Sequence, residues 1–145
     1  WRTRDHVDVG SRETVSVKDE APERIFHVEA LASTPPVFFA DNVLSPSECD
    51  HVIEVARPLL GRGSGHHNTG VATIPRDVLL NDAVFSRLAG RIAALNGIDE
   101  EIVRAGQEVQ VIRYDANGYI SAHQDSSSGY KKLITNFVYL NDDFD

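Results

Sequence analysis

Arg113-Tyr114-Asp115-Ala116-Asn117-Gly118-Tyr119-Ile120-Ser121-Ala122-His123-Gln124-Asp125 is the stretch on which the reading of this chain turns. It opens as a β-patterned run, passes a turn at Asn117-Gly118, and ends in a His-x-Asp pair. In an extended backbone residues two apart share a face, so the imidazole of His123 and the carboxylate of Asp125 can approach one ion together while Gln124 points away. Taken alone, such a pair is more often two incidental surface neighbours. Its context adds weight: Ser126-Ser127-Ser128-Gly129 follows and can form an open loop beside a cavity.

Working outward, Glu108 to Tyr114 reads as a strand with Val109 and Val111 opposite Gln110 and Ile112, and Leu133 to Leu140 as another, nearly continuous in β-forming residues. A helix is expected from Asp82 to Asn96, with Val84, Phe85, Leu88, Ile92 and Leu95 as its apolar stripe, Gly97 as C-cap, and Arg87 and Arg91 on an outer face. Asp99 can cap a further short turn carrying Ile102 and Val103 before Gly106. Ser45-Pro46-Ser47-Glu48 makes a capping box with Pro46 at the first helical position, Leu44 and Cys49 form the staple, and Pro58 stops the helix after Arg57. His51 falls on its polar side and reads as solvated.

Residues 61 to 70, Gly-Arg-Gly-Ser-Gly-His-His-Asn-Thr-Gly, hold four glycines and read as a mobile loop without a ladder of its own. They do not match a phosphate-binding loop, and His66 and His67 are read as solvated in preference to ligating. Arg24 to Leu31 suits a half-buried strand with Phe26, Val28 and Ala30 on one face and His27 at the surface. Thr34-Pro35-Pro36 breaks the pattern, Val37 to Ala40 is consistent with a short buried strand, and residues 1 to 23 with an arm or edge strand. Helices first and antiparallel-looking strands last indicate an α+β domain, its sheet completed by further strands.

With 145 residues, 41% apolar and 25% charged, the chain has the size and composition of one soluble globular domain. Its formal charge of −8, from 22 acidic against 14 basic side chains, argues against a nonspecific grip on nucleic acid or anionic membrane. The single cysteine, Cys49, excludes an intramolecular disulfide and a thiolate metal cluster. Neither a signal-peptide pattern nor a membrane-spanning run is present, so solubility is expected and the compartment stays open. One histidine and one carboxylate, joined by a second histidine, make the facial triad of non-haem Fe(II) oxygenases. Zinc is less favoured, since structural zinc wants four closed protein ligands and sulfur is scarce here.

In order, several motifs resemble the Fe(II)/2-oxoglutarate-dependent dioxygenases, more narrowly the prolyl 4-hydroxylase branch, across Pro35 to Phe144. They are Pro35-Pro36-Val37-Phe38, Asp41 through Cys49, Arg62-Gly63-Ser64-Gly65, Arg91 through Gly97, Arg113-Tyr114, His123-Gln124-Asp125, and Thr135 through Asn141. The resemblance implies a double-stranded β-helix (jelly-roll, cupin-like) core with N-terminal helices packed on one sheet. Residues 1 to 34 would be an extension and 35 to 145 the N-terminal part of the catalytic domain. It implies that His123 and Asp125 are catalytic Fe(II) ligands, that Tyr114 hydrogen-bonds 2-oxoglutarate, that Thr135 lines the same pocket, and that Arg62, Ser64 and His66 belong to a lid over the substrate groove. Tyr114 as a core aromatic with one wet end and Thr135 as an ordinary β-former stay open beside these roles.

The implied reaction converts 2-oxoglutarate and O₂ to succinate and CO₂ while hydroxylating a peptide or protein substrate at proline, a chemistry compatible with ascorbate. The chain departs from the family pattern at Ile120, Asn117-Gly118 and Lys132, which weakens a collagen-like peptide as substrate. The family's second histidine ligand and the basic residue that pairs with 2-oxoglutarate fall beyond Asp145, and the chain reads as an excerpt. The alternative is a noncatalytic subunit of the same fold without a complete metal site, needing a partner over the exposed edge of the 133 to 140 strand. A sugar- or small-molecule-binding β-domain has generic support only.

Overall fold

The computed structural model describes residues 8–17, 22–62, 66–106, 108–125, 132 and 134–142. It is a mixed α+β structure in which helices accompany two three-stranded antiparallel sheets. The first sheet orders β1 (Arg12–Val17), β2 (Arg24–Ser33) and β3 (Pro36–Ala40) with β2 in the middle. Period-two alternation works as expected in β2, where Phe26, Val28 and Ala30 are buried and Ile25 and Leu31 are exposed. The N-terminal segment therefore supplies an edge strand, with Val15 opposite Phe26. The expectation of a buried strand at Val37 to Ala40 is corrected: among the described strands β3 stands at the edge of its sheet, and Val37, Phe38 and Phe39 remain exposed.

Helix α1 (Pro46–Ala56) begins where its sequence dictates. Ser45 Oγ accepts from the Glu48 N–H at 3.3 Å, and Glu48 Oε2 accepts from the Ser45 N–H at 2.9 Å. A 3₁₀ turn, Arg57–Leu59, then closes the helix. A short helix unanticipated in the sequence, α2 (Arg76–Asn81), precedes α3 (Ala83–Asn96), and α4 (Glu100–Gly106) follows. Asp82 caps α3 through Oδ1, accepting from the N–H groups of Val84 and Phe85 at 2.8 and 3.2 Å, and Gly97 ends it in the left-handed conformation at φ 63°.

Arg87 and Arg91 do not share a solvated face. Arg91 is 1% exposed, its guanidinium spanning both oxygens of Glu48 at 2.8 and 3.0 Å and donating to the Val43 carbonyl at 2.7 Å. Arg87 reaches Glu48 Oε1 at 3.0 Å, and Arg24 of β2 stands 3.8 Å from Oε2. A buried guanidinium is tolerable because this fork-on-fork pairing satisfies it. Burial opposes ionisation of Glu48, but hydrogen bonds from Arg91, the Ser45 amide and Arg87 outweigh it and hold the carboxyl far below the usual carboxylate range.

The second sheet corrects the reading of residues 61 to 70. Gly61–Arg62 (β4) and His66–Thr73 (β5) are strands, with β5 pairing β4 on one side and β6 (Gln110–Ile120) on the other. The ladder partner arrives from some forty residues downstream, so local glycine content could not reveal it. At Gly70 a Cβ would come within 3.3 Å of the Leu60 side chain, so the glycine allows close packing there.

The turn expected at Asn117-Gly118 is instead a bulge inside β6. Thr69 faces Tyr114 and His67 faces Tyr119, so two steps along β5 (67 to 69) oppose five along β6 (114 to 119). Asn68 and Asn117 take left-handed φ values of 47° and 60° around it.

The main core gathers Leu44, Val52 and Ala56 of the α1 region, Ala72 and Ile74, and Val84, Phe85 and Leu88 of α3. Val138 and Leu140 pack against it while Phe137 and Tyr139 stay 80% and 74% exposed, an alternation expected of a strand. Yet residues 134–140 pair with no strand among the described residues, which corrects the expectation of a strand at 133 to 140. Alternating side chains set the pattern, but a strand also needs a ladder partner. No helix among the described residues is long and apolar enough to cross a membrane.

Candidate functional site

Strand β6 ends at Ile120, and the candidate pair His123 and Asp125 lies in the irregular segment just past it. There His123 Nδ1 sits 2.9 Å from the Ser121 carbonyl. A carbonyl only accepts, so Nδ1 carries a proton and donates this bond. Nε2 faces Asp125 Oδ1 at 3.3 Å. The other carboxylate oxygen, Oδ2, accepts the Thr135 hydroxyl at 2.7 Å. That hydrogen bond, against a smaller opposing effect of burial and with help from the positive charges of Lys132 and His123, holds the Asp125 carboxyl below its ordinary range.

Nε2 and Oδ1 therefore face one another, and a cation between them or a proton on Nε2 satisfies both. Two donors each about 2.1 Å from a divalent ion at a right angle would stand roughly 3 Å apart, close to the 3.3 Å observed. The donor pair fits a first-row divalent metal. Among the described residues no group of three or more His, Cys, Asp or Glu side chains is placed to hold an ion. Among the described residues the pair therefore offers two donors.

The structure brings His123, Asp125 and Thr135 together, whereas the remaining candidates stand apart from them. Tyr114 lies on β6 opposite Thr69, 54% exposed, and makes no hydrogen bond to these three among the described residues. Thr69 is itself buried, and its hydroxyl has no partner among the described residues. Arg62 is exposed on β4 opposite Gly70. His66 occupies the β5 backbone opposite Ile120, while its side chain, like the whole of Ser64, lies outside the described residues, as does all of Ser126 to Gly129.

Sequence reasoning missed two histidine contacts. His67, read as solvated, stacks on Tyr119 with ring centroids 4.4 Å apart and planes 12° from parallel. A β-register would have been needed to foresee it. His51, also read as solvated, places Nε2 2.7 Å from Asp82 Oδ2, tying α1 to the cap of α3. Burial opposes ionisation of Asp82, but His51 and the two helix amides overcome this and lower its pKa. Cys49 behaves as a core thiol, its pKa raised by burial and by the acidic neighbours Asp50, Glu48 and Asp142.

The chain is similar to Prolyl 4-hydroxylase 2 of Arabidopsis thaliana, 25% identical over 127 residues that cover 78% of this chain and 42% of that protein. It is also similar to Probable prolyl 4-hydroxylase 4 of Arabidopsis thaliana, 26% identical over 105 residues that cover 68% of this chain and 35% of that protein. The chain thus spans less than half the length of these curated relatives. No family model and no solved structure matches it. The two similarities support a prolyl-hydroxylase-like relationship.

Proposed function

We propose that this chain carries part of the active site of an Fe(II)/2-oxoglutarate-dependent hydroxylase acting on peptidyl proline. The observation that carries the reading is the opposition of His123 Nε2 and Asp125 Oδ1 at 3.3 Å, with the remaining polar atom of each side chain already engaged. The similarity to two prolyl 4-hydroxylases supports the substrate class. In this reading His123 and Asp125 hold the iron, Tyr114 offers its phenol to 2-oxoglutarate from the exposed side of β6, and Arg62, Ser64 and His66 contribute to the substrate lid. Completion of a double-stranded β-helix, with residues 1 to 34 as an extension of the domain, belongs to the same reading.

Bound iron supplies redox chemistry that couples decarboxylation of 2-oxoglutarate to C–H hydroxylation. The chain's own contribution is positional. The Ser121 carbonyl fixes the imidazole tautomer, and the carboxylate neutralises part of the ion's charge.

Titration with Fe(II) under anaerobic conditions tests the assignment. The protein should bind the ion, and His123→Ala and Asp125→Ala should each abolish binding while leaving the unfolding midpoint unchanged. Iron binding that persists in both variants would sink the assignment.

A further inference from the structure

We propose that Thr135 is a positioning residue for the Asp125 carboxylate and not a contact for the cosubstrate, an inference that rests on the metal-site reading above. The carboxylate torsion of an aspartate is broad and nearly two-fold, so an unrestrained Asp125 would offer either oxygen toward His123. Thr135 breaks that symmetry. Its hydroxyl donates to Oδ2 at 2.7 Å, which leaves Oδ1 as the oxygen facing Nε2. Threonine suits this task because its β-branch restricts χ1.

The hydroxyl has a single proton. Once donated to Asp125, it leaves lone pairs alone for any further contact, and lone pairs do not bind the carboxylates of 2-oxoglutarate. The two ligands are thus oriented from different places: His123 by a carbonyl two residues before it, Asp125 by a side chain ten residues after it. The segment that carries Thr135 is anchored independently of the site. Val138 and Leu140 pack on the main core, and Asn136 Oδ1 accepts from the Asn96 side chain at the end of α3 at 3.0 Å. Position 135 is therefore fixed by the body of the fold, and the carboxylate is aligned by it. Outer-shell partners of this kind are worth roughly 10- to 100-fold in metal affinity.

Co(II) is the probe, followed by its visible absorption without 2-oxoglutarate, in the wild-type protein and in Thr135→Val, Thr135→Ser and His123→Ala. Thr135→Val keeps the shape and removes the donor, so Co(II) affinity should fall by roughly 10-fold or more. Thr135→Ser keeps the donor and should restore affinity close to wild type. At saturating Co(II), 2-oxoglutarate affinity of Thr135→Val should match wild type. Unchanged Co(II) affinity in Thr135→Val, or equal losses in the Val and Ser variants, would overturn the role of Thr135. If His123→Ala nevertheless abolishes Co(II) binding, the metal-site reading survives that failure. Undiminished Co(II) binding in His123→Ala would overturn both.

Discussion

Glu48 joins three parts of the chain through one carboxylate: the amide of Ser45 that opens α1, the guanidiniums of Arg87 and Arg91 on α3, and Arg24 on β2. Removing one member of a buried pair leaves the other charged and uncompensated, at a cost of about 3–5 kcal/mol. Arg91→Ala should lower stability by that amount in urea unfolding. Arg87, with a side chain 41% exposed, is screened by solvent, and Arg87→Ala should cost no more than about 1 kcal/mol. Because the folded pKa of Glu48 lies below its unfolded value of about 4.3, its contribution is fully present above that value and is lost as pH falls toward the folded one. Urea midpoints measured from pH 6 downward should therefore drop more steeply below about pH 4.3 in the wild type than in Glu48→Gln.

At the scale of elements, signals that act within a few residues were legible in the sequence. Ser45, Pro46 and Glu48 announced the start of α1, and Asp82 and Gly97 bracketed α3, because capping chemistry is satisfied locally. Ser45→Ala should cost about 1 kcal/mol in the same unfolding assay. Pairings between distant segments were not legible. Residues 61 to 70 look like a loop until β6 supplies the ladder, and Arg91 looks like a surface residue until Glu48 is set against it.

The β5–β6 bulge yields its own prediction. A Cβ on Gly118 would meet the Asn68 carbonyl at 2.5 Å and the Asp115 carbonyl at 2.7 Å, both backbone atoms. Gly118→Ala should lower the thermal midpoint, with a cost of about 1–3 kcal/mol. A midpoint equal to wild type would show that the bulge is not held as described.

For the whole molecule, the core is built by helices and strands on which the candidate pair His123 and Asp125 does not lie. His123, Asp125 and Thr135 sit at the margin, linked back to α3 through Asn136. The candidate ligands could be picked out from residue types and spacing, and the resemblance supplied their roles. The hydrogen bond between Thr135 and Asp125 could not be read in advance, because it depends on how residues 134–140 return to the site. The proposed function rests on the similarity to two prolyl 4-hydroxylases together with the facing His123 and Asp125 side chains. The most direct test incubates the full-length protein that contains these residues with Fe(II), 2-oxoglutarate, O₂, ascorbate and a proline-containing peptide, and quantifies succinate together with oxygen added to the peptide. The account predicts equimolar succinate and hydroxyproline from the wild type and neither from His123→Ala; no succinate from the wild type, or the same yield from both, would contradict it.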